Sequence, residues 1–426
     1  MNKFHDFTLA QWLFYLENRH QQEIRLGLSR IQDAAARLNV LNQKAVVITV
    51  GGTNGKGSTV AALEAVYTAA GYRVGSYTSP HLLAFNERIR INHQPIVDKV
   101  LCAAFIVLQQ LPGSEQLSYF EMTTLAALWY FQQQALDVVI LEVGMGGRQD
   151  ATNIIDADLA IITTVDLDHQ DYLGDTIEAI GYEKAGILRA NKPFIYADTN
   201  PPQSIMDYAR LLQAYPHCLG ENYSYKTIGD RIHIFDQHNE LAEVSIPAIN
   251  HQDAVAAIMA SYYLNPRLPV TPAHWQQAMR QVSIPGRQQL VEENAITTIF
   301  DVAHNPQAVS LLAQFVEKQP KKAVHAVFSA LKDKDLSGLI KPMRNLIDFW
   351  YPAMMQGKRA SSEALLTTVF DQVLNSTPHI FADPAAAYRQ AMQQANPGDL
   401  IVVYGSFLMV SAVMAAESNH TKQEIL

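Results

Sequence analysis

The sequence predicts an α/β protein, with a mostly parallel sheet in a large first domain and a smaller α/β domain behind it. Three observations carry that expectation. Short apolar, β-branched runs alternate with stretches of helical spacing. A glycine-rich turn joins the first such run to a helix, and the alternation restarts after Ile284-Pro285-Gly286-Arg287.

Composition sets the bounds. With 426 residues, 48% of them hydrophobic, the chain can bury the cores of two or three domains. Glycine and proline are scattered, so no long low-complexity region is expected. The net charge of −9 and the absence of any basic run longer than Lys321-Lys322 argue against nucleic acid as a partner. Cys102 and Cys218 stand far apart and outside metal-ligand spacing, as suits a reducing compartment. Asp6, Glu17 and Arg19 interrupt the apolar residues near the start, and no apolar stretch is long enough to span a membrane. A cytoplasmic protein working without membrane partners is expected.

Residues 8–38 have helical spacing, with Leu9, Trp12, Leu13 and Leu16 on one face and Ile24, Leu28, Ile31 and Ala35 on another. Residues 45–50 then read as a buried strand, followed by a glycine-rich turn and a helix through Ala70. Further strands are expected at 73–77, 137–143 and 158–165, with helical stretches between several of them. Residues 222–244 read as a small antiparallel piece, and helices follow around 252–263 and 273–281. The first domain is therefore placed at 1–284, with a helical lead-in over 1–44. The second, at 285–426, has strands expected at 297–300, 323–328, 347–351 and 400–404.

The turn Gly51-Gly52-Thr53-Asn54-Gly55-Lys56-Gly57-Ser58 carries the first chemical signal. Glycines let backbone wrap around phosphate oxygens, a helix N-terminus adds positive potential, and Lys56 can reach terminal phosphates. Asn54, Gly55, Lys56, Gly57 and Ser58 are the expected phosphate contacts. Gly57 stands between Lys56 and the hydroxyl of Ser58, so the spacing is not that of the strict phosphate loop.

This variant loop resembles that of the Mur ligase superfamily, including the folylpolyglutamate synthases, which phosphorylate a carboxylate and let an amine displace the phosphate. Phosphoryl transfer needs cations near the loop, and carboxylates at strand ends suit that place. The resemblance implies that Ser58, Ser79, Glu142 and His169 hold Mg²⁺, with two ions beside ATP. Lys184, in Glu183-Lys184-Ala185-Gly186-Ile187, matches a lysine that is carbamylated in the family and helps position the metal. Taken alone, it would read as a surface helix lysine. Gly144–Asn153 looks like the family's Gly-Gly-Arg-Leu-Asp-Ala-Thr-Asn segment, with Gln149 in place of leucine.

The resemblance extends through both domains. Asn250 matches an adenine-contacting asparagine, although asparagine before a helix is equally a cap. Arg287 matches a hinge arginine on the ATP phosphates, and Asp301, in Asp301-Val302-Ala303-His304-Asn305-Pro306, a ribose ligand. His304 and Ser406 should lie near incoming glutamate. Lys56, Lys184 and His304 are the expected catalytic residues, and closure of the second domain over ATP is expected to exclude water.

The acceptor expected from the resemblance is a folate. Only 50 residues precede Gly51, too few for the nucleotide-sugar domain of peptidoglycan ligases. Arg25-Leu26-Gly27-Leu28 and Ser118-Tyr119-Phe120-Glu121 resemble pterin-contacting segments, but Arg25 stands where relatives tend to carry aspartate. Leu26, Gly27, Ser118, Tyr119, Phe120, Glu121, Gln149, Asp150 and Ala151 are the expected pterate and folate contacts. Tyr119 and Phe120 also fall on a helical apolar pattern with Leu125 and Trp129, which fits a plain core role. The expected activity joins L-glutamate to dihydropteroate and to reduced folates through an acyl phosphate, as a monomer. Another Mur-type ligase, a phosphate-loop switch or motor, and a non-catalytic binding module are the alternatives.

Overall fold

A computed structural model describes residues 4–20, 27–237 and 239–424, with side chains of the last helix described as far as residue 417. The chain divides into two compact units, Met1–Val282 and Ser283–Leu426.

The first unit is built on eight strands. Their spatial order is Gln94–Pro95, Ile89–Ile91, Val74–Tyr77, Val138–Glu142, Val46–Gly51, Leu159–Ile162, Pro193–Tyr196 and Tyr215–Cys218. The six from Val74–Tyr77 onward run parallel, and only the Ile89–Pro95 hairpin is antiparallel. Alternation fixes which residue meets which layer. Val47, Val139 and Leu141 face a core shared with helices Leu9–Asn18, Ser29–Leu38, Asp98–Gln109 and Tyr119–Gln132. Val138 and Ile140 are equally buried, outside that cluster, in strands against which helix Lys56–Ala69 packs. Each expected strand is observed to within a few residues, and 222–244 forms a three-stranded antiparallel sheet, whereas Ile89–Ile91, Gln94–Pro95, Pro193–Tyr196, Tyr215–Cys218 and Gln289–Glu293 are strands beyond those expected. The strand expected at 158–165 ends at Ile162, because Thr163 and Thr164 turn to bind the glycine-rich loop. The helical stretch expected over 8–38 is two helices, and Ile24 lies outside the described residues.

The second unit orders its strands Gln289–Glu293, Ile296–Asp301, Leu400–Tyr404, Val324–Phe328 and Phe349–Pro352. All neighbours are parallel except the first pair. Helices such as Pro306–Lys318 and Glu363–Leu374 supply Val309, Leu312, Leu366 and Phe370 to its core. No helix among the described residues is long and apolar enough to cross a membrane.

Candidate active site

Strand Val46–Gly51 hands over to helix Lys56–Ala69 through four residues, two of them glycines at positions that exclude a side chain. Gly52 has φ +143°, and a β-carbon there would lie 1.8 Å from Thr163 Oγ1. Gly55 has φ +86°, and its β-carbon would lie 2.2 Å from Asp253 Oδ1. The loop is tied across the sheet: Thr53 N–H donates to Thr164 O at 2.8 Å and Asn54 N–H to Thr164 Oγ1 at 3.0 Å. Gly55 offers no side chain to cap the helix, an arrangement that suits an anion at the first-turn amides. Lys56 Nζ donates to Gly52 O at 2.9 Å and Thr53 O at 3.1 Å, holding its charge across the loop. Ser58 is buried on the first helical turn.

Two further strand ends converge here. Glu142, buried at the end of its strand, accepts the Ser79 N–H at 3.0 Å. A β-carbon on Gly57 would lie 3.9 and 4.0 Å from its two carboxylate oxygens, so the carboxylate faces the first turn of helix Lys56–Ala69. Ser79-Pro80 is a cis peptide. Lys184 is 3% exposed, and its amine is held down at about 7. Burial is the main cause, the charge of Lys56 adds to it, and Asp168 partly opposes it. His169 takes a left-handed backbone with φ 52° and sits 3.7 Å from Asp168 Oδ2, with its side chain 41% exposed. Hydroxyl and carboxylate oxygens suit a hard divalent cation. Among the described residues no three His, Cys, Asp or Glu side chains form a metal cage. The expected set contains only two of that kind, Glu142 and His169; Ser58, Ser79 and Lys184 make up the rest.

The segment after Glu142 and the Lys184 helix, Ile177–Ala185, lock each other. Arg148 N–H donates to Glu183 O at 2.8 Å, and Asn153 Nδ2 donates to Arg148 O and Gly186 O. The Arg148 guanidinium lies 4.0 Å from the ring centre of Tyr182 and 4.5 Å from that of Tyr208. Asp150 is buried and accepts from the amides of Gly144, Met145 and Thr152 and the Thr152 hydroxyl. Burial raises its pKa while those bonds oppose the rise. Its carboxylate is thus occupied in shaping the loop. Gln149 is exposed and Ala151 buried beside it.

At the expected pterate end, Ser118 and Glu121 cap helix Tyr119–Gln132 reciprocally, at 2.7 and 3.2 Å. Glu121 also pairs with Arg30 at 3.3 Å, and Gly27 lies beside that arginine. Phe120 packs so closely on Gly144 that a β-carbon there would lie 2.5 Å from its ring, with Tyr77 6.0 Å away. Tyr119 packs on Phe85. Leu26 and Arg25 lie outside the described residues. Asn250 caps helix His251–Tyr263, accepting from Gln252 N–H at 2.8 Å.

In the second unit, Asp301 ends its strand buried, accepting from Gln288 N–H at 2.9 Å and Ala303 N–H at 2.7 Å. Burial raises its pKa, and Arg287 pulls it back. Phe407 connects the remaining groups, 5.1 Å from the Arg287 guanidinium and 6.0 Å from the His304 ring. Ser406 caps the last helix by accepting the Met409 N–H at 3.0 Å. Arg287, Asp301, His304 and Ser406 therefore lie around the carboxyl ends of two adjacent parallel strands, where open α/β sheets bind ligands.

Three groups outside the expected site set stand out. Asp168, beside His169, acts through its charge on Lys184. Asp253 abuts Gly55, and only its spacing of one helical turn from Asn250 could have drawn notice. Arg88 is buried, donating to His81 Nδ1 at 2.9 Å and lying over Phe85 and Tyr119. His81 is correspondingly held down at about 4, by burial first and by Arg88 second.

Comparison with known proteins follows these features. Residues 50–259 match the Mur ligase middle domain and residues 286–407 the Mur ligase glutamate ligase domain. The chain is 41% identical over 411 residues to the dihydrofolate synthase/folylpolyglutamate synthase of Escherichia coli (strain K12), covering 95% of this chain and 94% of that one. The Haemophilus influenzae protein of the same name is 37% identical, with 96% and 97% covered. Among solved structures, E. coli FolC in complex with DHPP and ADP superposes with a TM-score of 0.92 at 39% identity, covering 98% and 99%. A bifunctional folylpolyglutamate synthase/dihydrofolate synthase with Mn, AMPPNP and L-glutamate bound gives 0.90 at 39%, covering 97% and 98%.

Proposed function

The chain belongs to the Mur ligase family, among its dihydrofolate synthases/folylpolyglutamate synthases, and on that premise we propose how its own residues carry the reaction. It is an ATP-dependent ligase that joins L-glutamate to dihydropteroate and to the glutamate tail of reduced folates. The acceptor carboxylate takes the γ-phosphoryl group of ATP to form an acyl phosphate and ADP. The glutamate amine then attacks that carbonyl, loses a proton, and phosphate departs as the amide forms.

The amides of Gly52–Gly55 and the first turn of helix Lys56–Ala69 cradle the phosphates through Asn54, Gly55, Gly57 and Ser58. Lys56 moves from the carbonyls of Gly52 and Thr53 onto the transferring phosphate. Asn250 reads the base, Arg287 the phosphates and Asp301 the ribose. Ser58, Ser79, Glu142, His169 and Lys184 hold Mg²⁺, two ions in our reading. Mg²⁺ there supplies charge neutralisation of the phosphoryl oxygens. Lys184 serves as a carbamate: a buried amine poised at about 7 is neutral often enough to add to CO₂ with loss of a proton, giving an anion that relieves its repulsion with Lys56. Gly27 with Leu26, the Ser118–Glu121 turn and Gln149–Ala151 form the pterate end, where Phe120 offers an aromatic face and Asp150 acts by shaping the loop. His304 and Ser406 orient glutamate. Positioning and electrostatics carry the rate. The protein acts as a cytoplasmic monomer on small molecules.

The observation that carries this reading is the convergence of Glu142 and Ser79 on the first turn of the phosphate helix. The test is glutamate-dependent ADP release with Mg²⁺ and either dihydropteroate or tetrahydrofolate. Turnover with both acceptors is expected; turnover with tetrahydrofolate alone would confine the enzyme to chain extension, and turnover with neither would overturn the folate assignment.

A further inference from the structure

We propose that the second unit carries a separate binding site for a flat heteroaromatic ring with an amide-type edge, the class that holds purines and pterins. The site is the groove between edge strand Phe349–Pro352 and helix Pro384–Gln394, with a volume of about 550 Å³. That is within the usual range for small-molecule sites, roughly 300–1,000 Å³.

One wall of the groove rests on a continuous line of rings. Phe349 stacks on His325 at 4.8 Å, His325 on Tyr351 at 5.8 Å, Tyr351 faces Phe381 at 6.0 Å, and His379 meets Phe381 edge-on at 4.8 Å. His325 and Tyr351 are buried, whereas Phe349 is 49% exposed. An edge strand ordinarily blunts itself with charge; this one presents an aromatic face. The backbone closes the groove by adding 381 beside 353, through Phe381 N–H to Pro352 O at 2.8 Å and Met354 N–H to Phe381 O at 2.9 Å.

The helix supplies the edge reader. Gln390 and Gln394 are one turn apart and share a helix face, and both line the groove. The Tyr351 hydroxyl donates to Gln394 Oε1 at 2.7 Å, which fixes that carboxamide and leaves its amide nitrogen as donor. Among the described residues neither that nitrogen nor the Gln390 carboxamide has a hydrogen-bond partner. A carboxamide presents a donor beside an acceptor, the complement of the same pair on a purine or pterin edge. Asp348, an exposed residue lining the groove, disfavours a phosphate close by, so an uncharged ring is the better fit. The groove is not the glutamate site: strand Val324–Phe328 separates its strand from Leu400–Tyr404, which leads to Ser406.

The test is calorimetric titration of the full chain, saturated with AMPPNP and Mg²⁺, with adenosine and separately with 6-methylpterin. Neither probe carries a carboxylate or phosphate to react. Saturable binding of at least one is expected, weakened about tenfold by Phe349→Ala, as for loss of a stacking face, and about fivefold by Gln390→Ala. Glutamate-dependent turnover should be unchanged in both variants, because neither residue belongs to the proposed reaction site. The probe whose binding the two variants weaken identifies the ring, since pterin binding at the pterate end of the first unit would be untouched by either substitution. Isotherms that superimpose on wild type in both variants, or no binding by either probe, would overturn the site without touching the ligase assignment.

Discussion

The carboxylate of Glu142 accepts the backbone N–H of Ser79 at 3.0 Å, linking the ends of two adjacent parallel strands beside the phosphate helix. One side chain thus serves structure and, in our reading, the metal. Glu142→Gln retains an acceptor for Ser79 and loses the charge; Glu142→Ala loses both. For the glutamine variant we expect kcat to fall by about 100-fold or more, with a higher Mg²⁺ requirement and an unchanged thermal midpoint. The alanine variant should also lose about 1–3 kcal/mol of stability for the orphaned amide. Denaturant titration with Mg²⁺-dependent kinetics checks this, and full activity in the glutamine variant would remove Glu142 from the metal set.

Lys184 has a signed dependence on pH. Its amine sits at about 7 in the fold against an ordinary 10.5, so between those values the unfolded chain binds the extra proton. Stability therefore carries the whole cost of the buried charge below about pH 7 and recovers it as pH rises towards 10.5. In CO₂-free buffer, Lys184→Met should be more stable than wild type at pH 6 by a few kcal/mol, and the gap should close towards pH 10. With ¹³C-bicarbonate, wild type should show a carbamate resonance that the variant lacks. A pH-independent gap would remove the buried amine as its cause.

Gly186 is the tightest point of the lock that positions Lys184. A β-carbon there would lie 2.4 Å from both Cα and Cβ of Arg148, so backbone must move to admit it. Gly186→Ala is expected to cost about 3 kcal/mol and most of the activity. Gly71, with φ +85° and nothing within 4 Å of an added β-carbon, should lose only about 1 kcal/mol on the same change. Thermal unfolding of the pair compares crowding with backbone strain alone.

Asn250 combines a cap with a proposed base contact, and two substitutions separate them. Asn250→Ala removes the acceptor for Gln252 N–H and should cost about 1 kcal/mol. Asn250→Ser keeps the cap. If the amide reads adenine, both variants raise the KM for ATP several-fold; if Asn250 only caps, the serine enzyme keeps the wild-type value.

Much of this molecule was legible because the signals are local. Val46–Gly51 is a buried β-branched run, and Gly52 and Gly55 stand at positions whose positive φ excludes other residues. The strand Tyr215–Cys218 gave no such signal, because it lies at the sheet edge, part exposed, and includes Pro216. The role of Asp150 was only half legible: its type and place stood out, but sequence could not show that its oxygens were already occupied by three amides and a hydroxyl.

By itself the sequence determined many of the elements, the glycine-rich loop and the family to which the chain belongs, and it named the candidate residues, since periodicity, turn chemistry and motif spacing act over a few residues. Only the tertiary structure decided what those residues meet. Thr53 is clamped to Thr164, Gly55 abuts Asp253, Ser79 reaches Glu142 across 63 residues, and Lys184 is buried near the charge of Lys56. Such pairs are set by strand order and by the close packing of layers, and the electrostatics follow from burial. A side chain's surroundings, unlike its conformational preferences, are supplied by distant parts of the chain.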